Sequence, residues 1–194
     1  MRTPSSGVLP RRDQLAVRVR YAAIATSAPG GSVATNAGIE AFALAGRVAV
    51  KVDQRGYSAK LSWRHALAGD QLRLLSPIGS VIAELQADAA GATLTAADKK
   101  VYRSSNVQAL TRQVLGWDLP LDGLQHWVVG RAEPELPVQA EERDERGRLT
   151  KLTQNQWRID YLAYAGDGAL PSRMVLAYDN LTLRLIIDRW DLQE

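Results

Sequence analysis

From Phe42 onward the chain alternates apolar and polar residues with a period of two, and turn signals interrupt the alternation at short intervals. A strand sends successive side chains to opposite faces, so the pattern predicts antiparallel strands with one apolar and one wetted face. Phe42, Leu44, Val48, Val50 and Val52 share a face, with Arg47, Ala49 and Lys51 opposite. After a turn at Gly56, Tyr57, Ala59, Leu61 and Trp63 repeat the pattern, and Gly69-Asp70 ends the strand. Residues 72–75 and 81–85 form a further pair around Ser76-Pro77-Ile78-Gly79-Ser80, and 93–95 with 100–103 form a short hairpin. Strands return at 138–143, 148–154, 156–164, 173–178 and 181–190.

Between these two sets the period changes to 3.6. Ser105 and Gln108 are spaced as a capping box, and Val107, Leu110, Val114 and Trp117 follow as a helical stripe that residues 118–120 break. Leu121, Leu124, Trp127 and Val128 mark a second helix, with Gly130 as its stop. A sheet of about nine to eleven short antiparallel strands curls, so the expected fold is mainly β (α+β), an unclosed half-barrel. The two helices bury their stripes only on its concave face, as a lid or plug over an apolar interior.

The 194 residues suffice for one compact domain or two very small ones, and residues 1–38 differ in kind from the rest. They are rich in Ala, Ser, Gly, Thr and Pro, and Pro29-Gly30-Gly31-Ser32 reads as linker. Arg11, Arg12, Arg18 and Arg20 before the apolar patch at 21–25 faintly resemble a degenerate export segment; a short amphipathic helix or a plain flexible leader are the alternatives. The barrel is assigned to 39–194. No apolar run reaches the ~18 residues of a membrane-spanning helix. A net charge of +3 with interspersed signs implies no nucleic-acid partner. Cysteine is absent, which removes disulfides and thiolate chemistry.

A catalytic site is hard to assemble from this inventory, and no enzyme activity is expected. His65 and His126 have no carboxylate at metal-ligand spacing on the same face, so no metal is expected. Glu141, Glu142, Asp144 and Glu145 alternate with Arg143 and Arg146 around a turn, as at a solvated hairpin end. Neither a glycine-rich phosphate loop nor a Gly-x-Ser-x-Gly elbow occurs. The aromatic balance is more informative: five Trp and six Tyr stand against one Phe, rings whose polar edge suits a cavity mouth as well as a core. In the 76–80 hairpin, Pro77 and Gly79 suit a tight turn that puts Ile78 at or next to its tip. Either Ile78 packs back onto the barrel rim, or it meets a partner or a lipid surface.

Taken in order, Gly46-Arg47-Val48-Ala49-Val50, Ser62-Trp63, the run Leu72-Arg73-Leu74-Leu75-Ser76-Pro77-Ile78-Gly79-Ser80, and Leu119-Pro120-Leu121 with Leu124, Trp127, Val128 and Gly130 resemble the LolB family of outer-membrane lipoproteins. Leu149, Leu152, Trp157-Arg158-Ile159-Asp160-Tyr161, Tyr164, Leu170-Pro171, Met174 and Trp190 extend the resemblance across about 39–190. It implies an unclosed barrel that binds lipoprotein acyl chains, accepts lipoproteins from a periplasmic LolA-like carrier and delivers them into the outer membrane. The cavity would be lined by Val48, Val50, Trp63, Leu72, Leu74, Leu110, Val114, Trp117, Leu124, Trp127, Trp157, Ile159, Tyr161, Met174, Leu183 and Leu185. Pro77, Ile78 and Gly79 would form the membrane-insertion loop, with Ile78 where the family commonly has Leu.

The same resemblance implies no cofactor, a monomer, and a location on the periplasmic face of the outer membrane. It also implies a lipidated cysteine after a signal peptide, whereas this sequence has none; a lost anchor position near Ser27 is one placement. Two alternatives remain: a soluble periplasmic carrier of the same fold, favoured by the missing cysteine, and a hydrolase acting on lipid or glycan, which needs a convergent acid, base or nucleophile in the cavity.

Overall fold

The computed structural model describes residues 36–166 and 168–192. The leader assigned to 1–38 therefore lies outside the described residues up to position 35; Asn36–Gly38 form one turn of 3-10 helix. Eleven strands follow: β1 (Phe42–Val52), β2 (Arg55–Ala66), β3 (Gly69–Leu75), β4 (Val81–Asp88), β5 (Gly91–Ala96), β6 (Val101–Ser104), β7 (Val138–Arg143), β8 (Leu149–Gln154), β9 (Trp157–Tyr164), β10 (Pro171–Tyr178) and β11 (Leu181–Leu192). Helices α1 (Val107–Leu115) and α2 (Leu121–Trp127) stand between β6 and β7.

All strands belong to one antiparallel sheet in the order β6-β5-β4-β3-β2-β1-β11-β10-β9-β8-β7. Two hairpin meanders are thus sewn together where the last strand returns beside the first. β6 and β7 are the two free edges, so the sheet is unclosed, as the strand count and curl led one to expect. The chain leaves one edge at Ser104 and re-enters at the other at Val138. Its helices must cross the concave face to do so, which places them as the plug.

Burial follows the alternation. Leu44 and Val50 on β1, Leu61 and Trp63 on β2, Leu72 on β3 and Leu183, Leu185 and Ile187 on β11 are buried, while Arg47, Lys51, Lys60 and Arg184 are exposed. Tyr57 departs from it: expected on the apolar face, it is exposed. The pairing of β2 with β3 begins only at Lys60, so the start of β2 has a strand on one side only. At Gly46 the register with β11 slips by one residue, Ala45 facing Arg189 and Gly46 facing Ile187. The extra residue, Asp188, sits on β11, so the bulge leaves the alternation of β1 undisturbed.

Two local expectations are corrected in the helices. The cap of α1 is Asn106, whose side chain accepts a hydrogen bond from the Ala109 N–H at 2.8 Å; Ser105 and Gln108 do not form a capping box. Asn is as good an N-cap as Ser, and here the extended backbone lies at position 106. α1 also stops before Trp117: Gly116 takes the left-handed conformation (φ 82°) and its N–H closes onto the Arg112 carbonyl at 3.0 Å. Trp117 therefore lies on the connection between the helices rather than on the α1 stripe.

Candidate functional site

The concave face divides into a packed half and a half with a void. In the packed half α2 is riveted to β8 and β9. Gln154, fully buried, accepts from Trp127 Nε1–H at 2.9 Å and from the Glu133 N–H at 2.8 Å, and donates to the Glu133 and Leu136 carbonyls, each at 2.8 Å. A buried amide leaves a penalty unless its groups are all paired, and here all four bonds are made. Burial pushes the Tyr161 phenol well above its usual range. It remains the protonated donor to the Trp127 carbonyl, at 2.9 Å. The Trp127 and Trp157 rings lie 5.9 Å apart, and Trp157 stacks on Tyr178 at 5.3 Å.

In the other half an apolar cavity lies between the sheet and the segment running from the end of α1 into α2. It is lined by Val48, Leu61, Trp63, Leu72, Leu74, Ala83, Leu85, Leu94, Leu176, Leu183 and Leu185 from seven strands, and by Thr111, Leu115, Trp117, Leu119 and Leu124 from the lid. Strands from β5 round to β10 meet on one void, which is the curl of the half-barrel in side-chain terms. The one hydroxyl among these residues is spent locally: Thr111 Oγ1 donates to the Gln108 carbonyl at 3.1 Å and accepts from the Leu119 N–H at 3.0 Å, and the Trp63 indole N–H is spent on Asp70. The wall of the cavity is therefore almost wholly apolar. Its free space is ≈ 40 Å³, roughly three waters at about 10–15 Å³ each.

Of the expected cavity residues, the structure gathers Val48, Trp63, Leu72, Leu74, Trp117, Leu124, Leu183 and Leu185 around this void. Trp127, Trp157, Ile159, Tyr161 and Met174 are buried in the packed half instead, and Val50 and Leu110 are buried while Val114 is half-buried, all three away from the void's lining. Leu61, Ala83, Leu85 and Leu94 line it through the same alternation, and were readable from it; Leu115, Leu119 and Leu176 join through the path of the lid and the curl of the sheet.

The lid is held at both ends. Arg112 pairs with Asp118 across Gly116, its Nε donating at 2.6 Å, and α2 hangs on Gln154. Gly116 to Pro120, the segment carrying Trp117 and Leu119, is itself tied back to α1, through Asp118 on Arg112 and through the Leu119 N–H on Thr111. At one end of the barrel Asp70, buried, accepts from Trp63 Nε1–H at 2.7 Å and lies 2.8 Å from His65 Nδ1. The sequence offered no carboxylate for His65 at metal-ligand spacing; the β2–β3 hairpin brings one from five residues on. Burial, with Arg131 and His65 nearby, holds His126 below the usual histidine range. Among the described residues no three acidic, histidine or cysteine side chains are grouped as a metal site.

The β3–β4 hairpin projects away from the core. The Gly79 N–H bonds the Ser76 carbonyl at 2.9 Å, Ser76 N–H bonds the Ser80 carbonyl at 2.7 Å, and the Ser80 N–H bonds Ser76 Oγ at 3.1 Å. Pro77 and Ile78 are the central turn residues, and Gly79 takes φ +94°, which a β-branched residue would resist. Ile78 does not fold back onto the rim: it is 91% exposed.

These features have relatives. A sequence model described as outer membrane lipoprotein LolB matches residues 40–190. An outer-membrane lipoprotein LolB of Nitrosomonas europaea is 34% identical over 155 residues, covering 78% of this chain and 73% of the relative. That of an Azoarcus species is 35% identical over 153 residues, 78% of each chain. That of Thiobacillus denitrificans is 35% identical over 151 residues, 78% of this chain and 80% of its own. Among solved structures, a LolA superfamily protein of Nitrosomonas europaea aligns over 81% of this chain and 88% of its own, at TM-score 0.47 and 8% identity. An apolar unclosed barrel, a helical plug and a family model spanning nearly all the described residues lead to one conclusion: this chain belongs to the LolB family of outer-membrane lipoproteins, a family of lipoprotein localisation and not of enzymes.

Proposed function

We propose that the protein binds the acyl chains of lipoproteins in its apolar interior, receives them from a periplasmic LolA-like carrier, and delivers them into the outer membrane. The observation that carries this reading is the cavity, lined by aliphatic and indole surface with its one hydroxyl already satisfied. Such a lining selects for methylenes and against anything that needs a hydrogen bond. In this state the void is far too small for a fatty chain, so loading requires the Arg112–Asp118 pair and the Thr111–Leu119 hydrogen bond to open and the Gly116–Pro120 segment to lift while Gln154 keeps α2 seated. Each sequestered methylene contributes about 0.8 kcal/mol, which lets a better-fitting cavity draw a chain from a weaker one without nucleotide hydrolysis. The protruding Ile78 supports delivery to a membrane over simple carriage in solution, the second reading of the same fold. The domain carrying this work is 39–194, with 1–38 as leader or tether, the protomer acts as a monomer, and its place is the periplasmic face of the outer membrane.

The test is to mix the purified chain with a triacylated lipoprotein and with the same lipoprotein after enzymatic removal of its acyl chains. The acylated form is expected to co-elute with it in detergent-free buffer and the deacylated form to run free. Equal binding of the two, or binding of neither, would overturn the proposal.

A further inference from the structure

The convex face beside the Ile78 loop carries a set of cations with few partners. Read across the register, Lys60 on β2 stands directly opposite Arg47 on β1, Arg47 faces Ile186 on β11, and Ile186 faces Arg173 on β10. One row over, Ala49 lies between Ser58 and Arg184; the row beyond pairs Gly56, Lys51 and Thr182. Arg47, Lys51, Lys60, Arg173 and Arg184 are all exposed. Among the described residues the carboxylates on the convex face include Asp188, engaged by Arg47 at 2.9 Å, Glu84 and Glu142, engaged by Arg73 and Lys151, Asp160, which faces Val175 on β10 and Lys151 on β8, and Asp191, which faces Ala43. No ion pair is made by Lys51, Lys60, Arg173 or Arg184 among the described residues.

Like charges directly opposite each other destabilise a sheet. The Arg47–Lys60 pair at the centre of an eleven-stranded sheet is therefore a local conflict, and such conflicts mark sites kept for something other than stability. Aliphatic side chains are interleaved with the cations: Ile186, Val175 and Leu75 point to the same side. The patch is continuous with the loop, because Pro77, next to Ile78, lines one shallow depression with Arg47, Ser58, Lys60, Arg184 and Ile186.

We propose that this convex face is a docking surface for anionic lipid headgroups, seating the protein so that Ile78 points into the bilayer. The inference rests on the membrane reading of the Ile78 loop. Charge complementarity selects an anionic partner, and the shared depression with a protruding aliphatic selects a lipid surface rather than an acidic protein. A basic side chain near an anionic membrane strengthens binding by about five-fold, and screening by salt removes the effect beyond ~10 Å at 0.1 M. Arg47, paired with Asp188, contributes less than Lys60 and Arg184.

The experiment is vesicle flotation of the full chain with phosphatidylcholine alone and with phosphatidylcholine containing 30% phosphatidylglycerol. The wild type is expected to prefer the anionic vesicles at least tenfold in low salt, and to lose the preference in 0.5 M NaCl. Lys60→Gln with Arg184→Gln, both exposed changes that leave the urea midpoint in place, should reduce the preference at least tenfold, Lys51 and Arg173 carrying what remains, and keep the affinity for phosphatidylcholine. Ile78→Gln, which adds no charge, should weaken binding to both vesicles and keep their ratio. An undiminished anionic preference in the double glutamine variant would overturn the docking surface, and would direct attention to an acidic protein as the occupant. A fall of the ratio in that variant, with Ile78→Gln binding both vesicles as wild type does, supports the basic face and removes the loop reading alone.

Discussion

Replacing Ile78 with glutamate is expected to abolish delivery of lipoproteins to liposomes while leaving acyl-chain binding at the wild-type level. The loop is closed by its own hydrogen bonds through Ser76 and Ser80, and Ile78 takes no part in them. Its side chain is almost wholly in water, so neither the sheet nor the cavity loses a contact when it changes. What changes is entry into hydrocarbon. A large aliphatic gains about 1.5–3 kcal/mol on burial, whereas an acidic side chain placed in the bilayer core costs up to about 2.5–3.5 kcal/mol. The swing is several kcal/mol, or on the order of a hundredfold or more in the membrane step at 1.4 kcal/mol per tenfold. Ile78→Leu should act as wild type. A liposome-incorporation assay beside a lipoprotein-binding assay reads both steps; loss of both together would count against the loop, because it would place Ile78 in folding or loading.

The second large effect is on stability. A methyl group on Gly46 would sit 2.1 Å from the Ile186 carbonyl oxygen and 3.0 Å from both the Ile186 carbonyl carbon and Ile187 Cα. These are backbone atoms of the strand that closes the two meanders together, so no side chain can swing aside. Overpacking against side chains typically costs about 1–3 kcal/mol; against fixed backbone at the β1–β11 bulge the cost of Gly46→Ala should exceed about 3 kcal/mol, a large part of a domain's stability. Gly56→Ala is the matched comparison, since nothing lies within 4 Å of its added methyl and its φ lies outside the left-handed range. It should be neutral or raise stability by up to about 1 kcal/mol through the unfolded chain. Urea denaturation of the two variants beside wild type separates these outcomes, and equal midpoints would show that the bulge is not fixed.

The half-barrel was legible because alternation is a local signal, and Leu44, Val50, Leu61, Trp63, Leu183 and Leu185 are buried where their parity puts them. Less legible was anything decided by where two distant segments meet. Parity assigns Val48 and Ile159 to the same concave face; it is the seating of α2 on Gln154 that fills the space at Ile159 and leaves a void at Val48. Gln154 itself stands before Asn155-Gln156 and looks like a turn residue, as Asp70 does after Gly69. Their burial follows from donors, Trp127 and Trp63, whose arrival no local pattern reports. Trp117 matched the α1 stripe in spacing, yet Gly116 ends the helix one residue earlier and sends it over the cavity by a different path.

Entry of an acyl chain into the void beneath the Gly116–Pro120 segment is open to a direct reading by Trp emission. Trp117 lines the void, whereas Trp157 is stacked on Tyr178 in the packed half. Titration with a fatty acid carrying a nitroxide on its chain is expected to quench part of the emission saturably. That quenchable part, carried by Trp117 and Trp63, should shrink in Trp117→Phe and become a larger share of the remaining emission in Trp157→Phe. Saturable quenching that survives Trp117→Phe and falls with Trp157→Phe would place the chain elsewhere, and no saturable quenching at all would mean that the interior is a closed core.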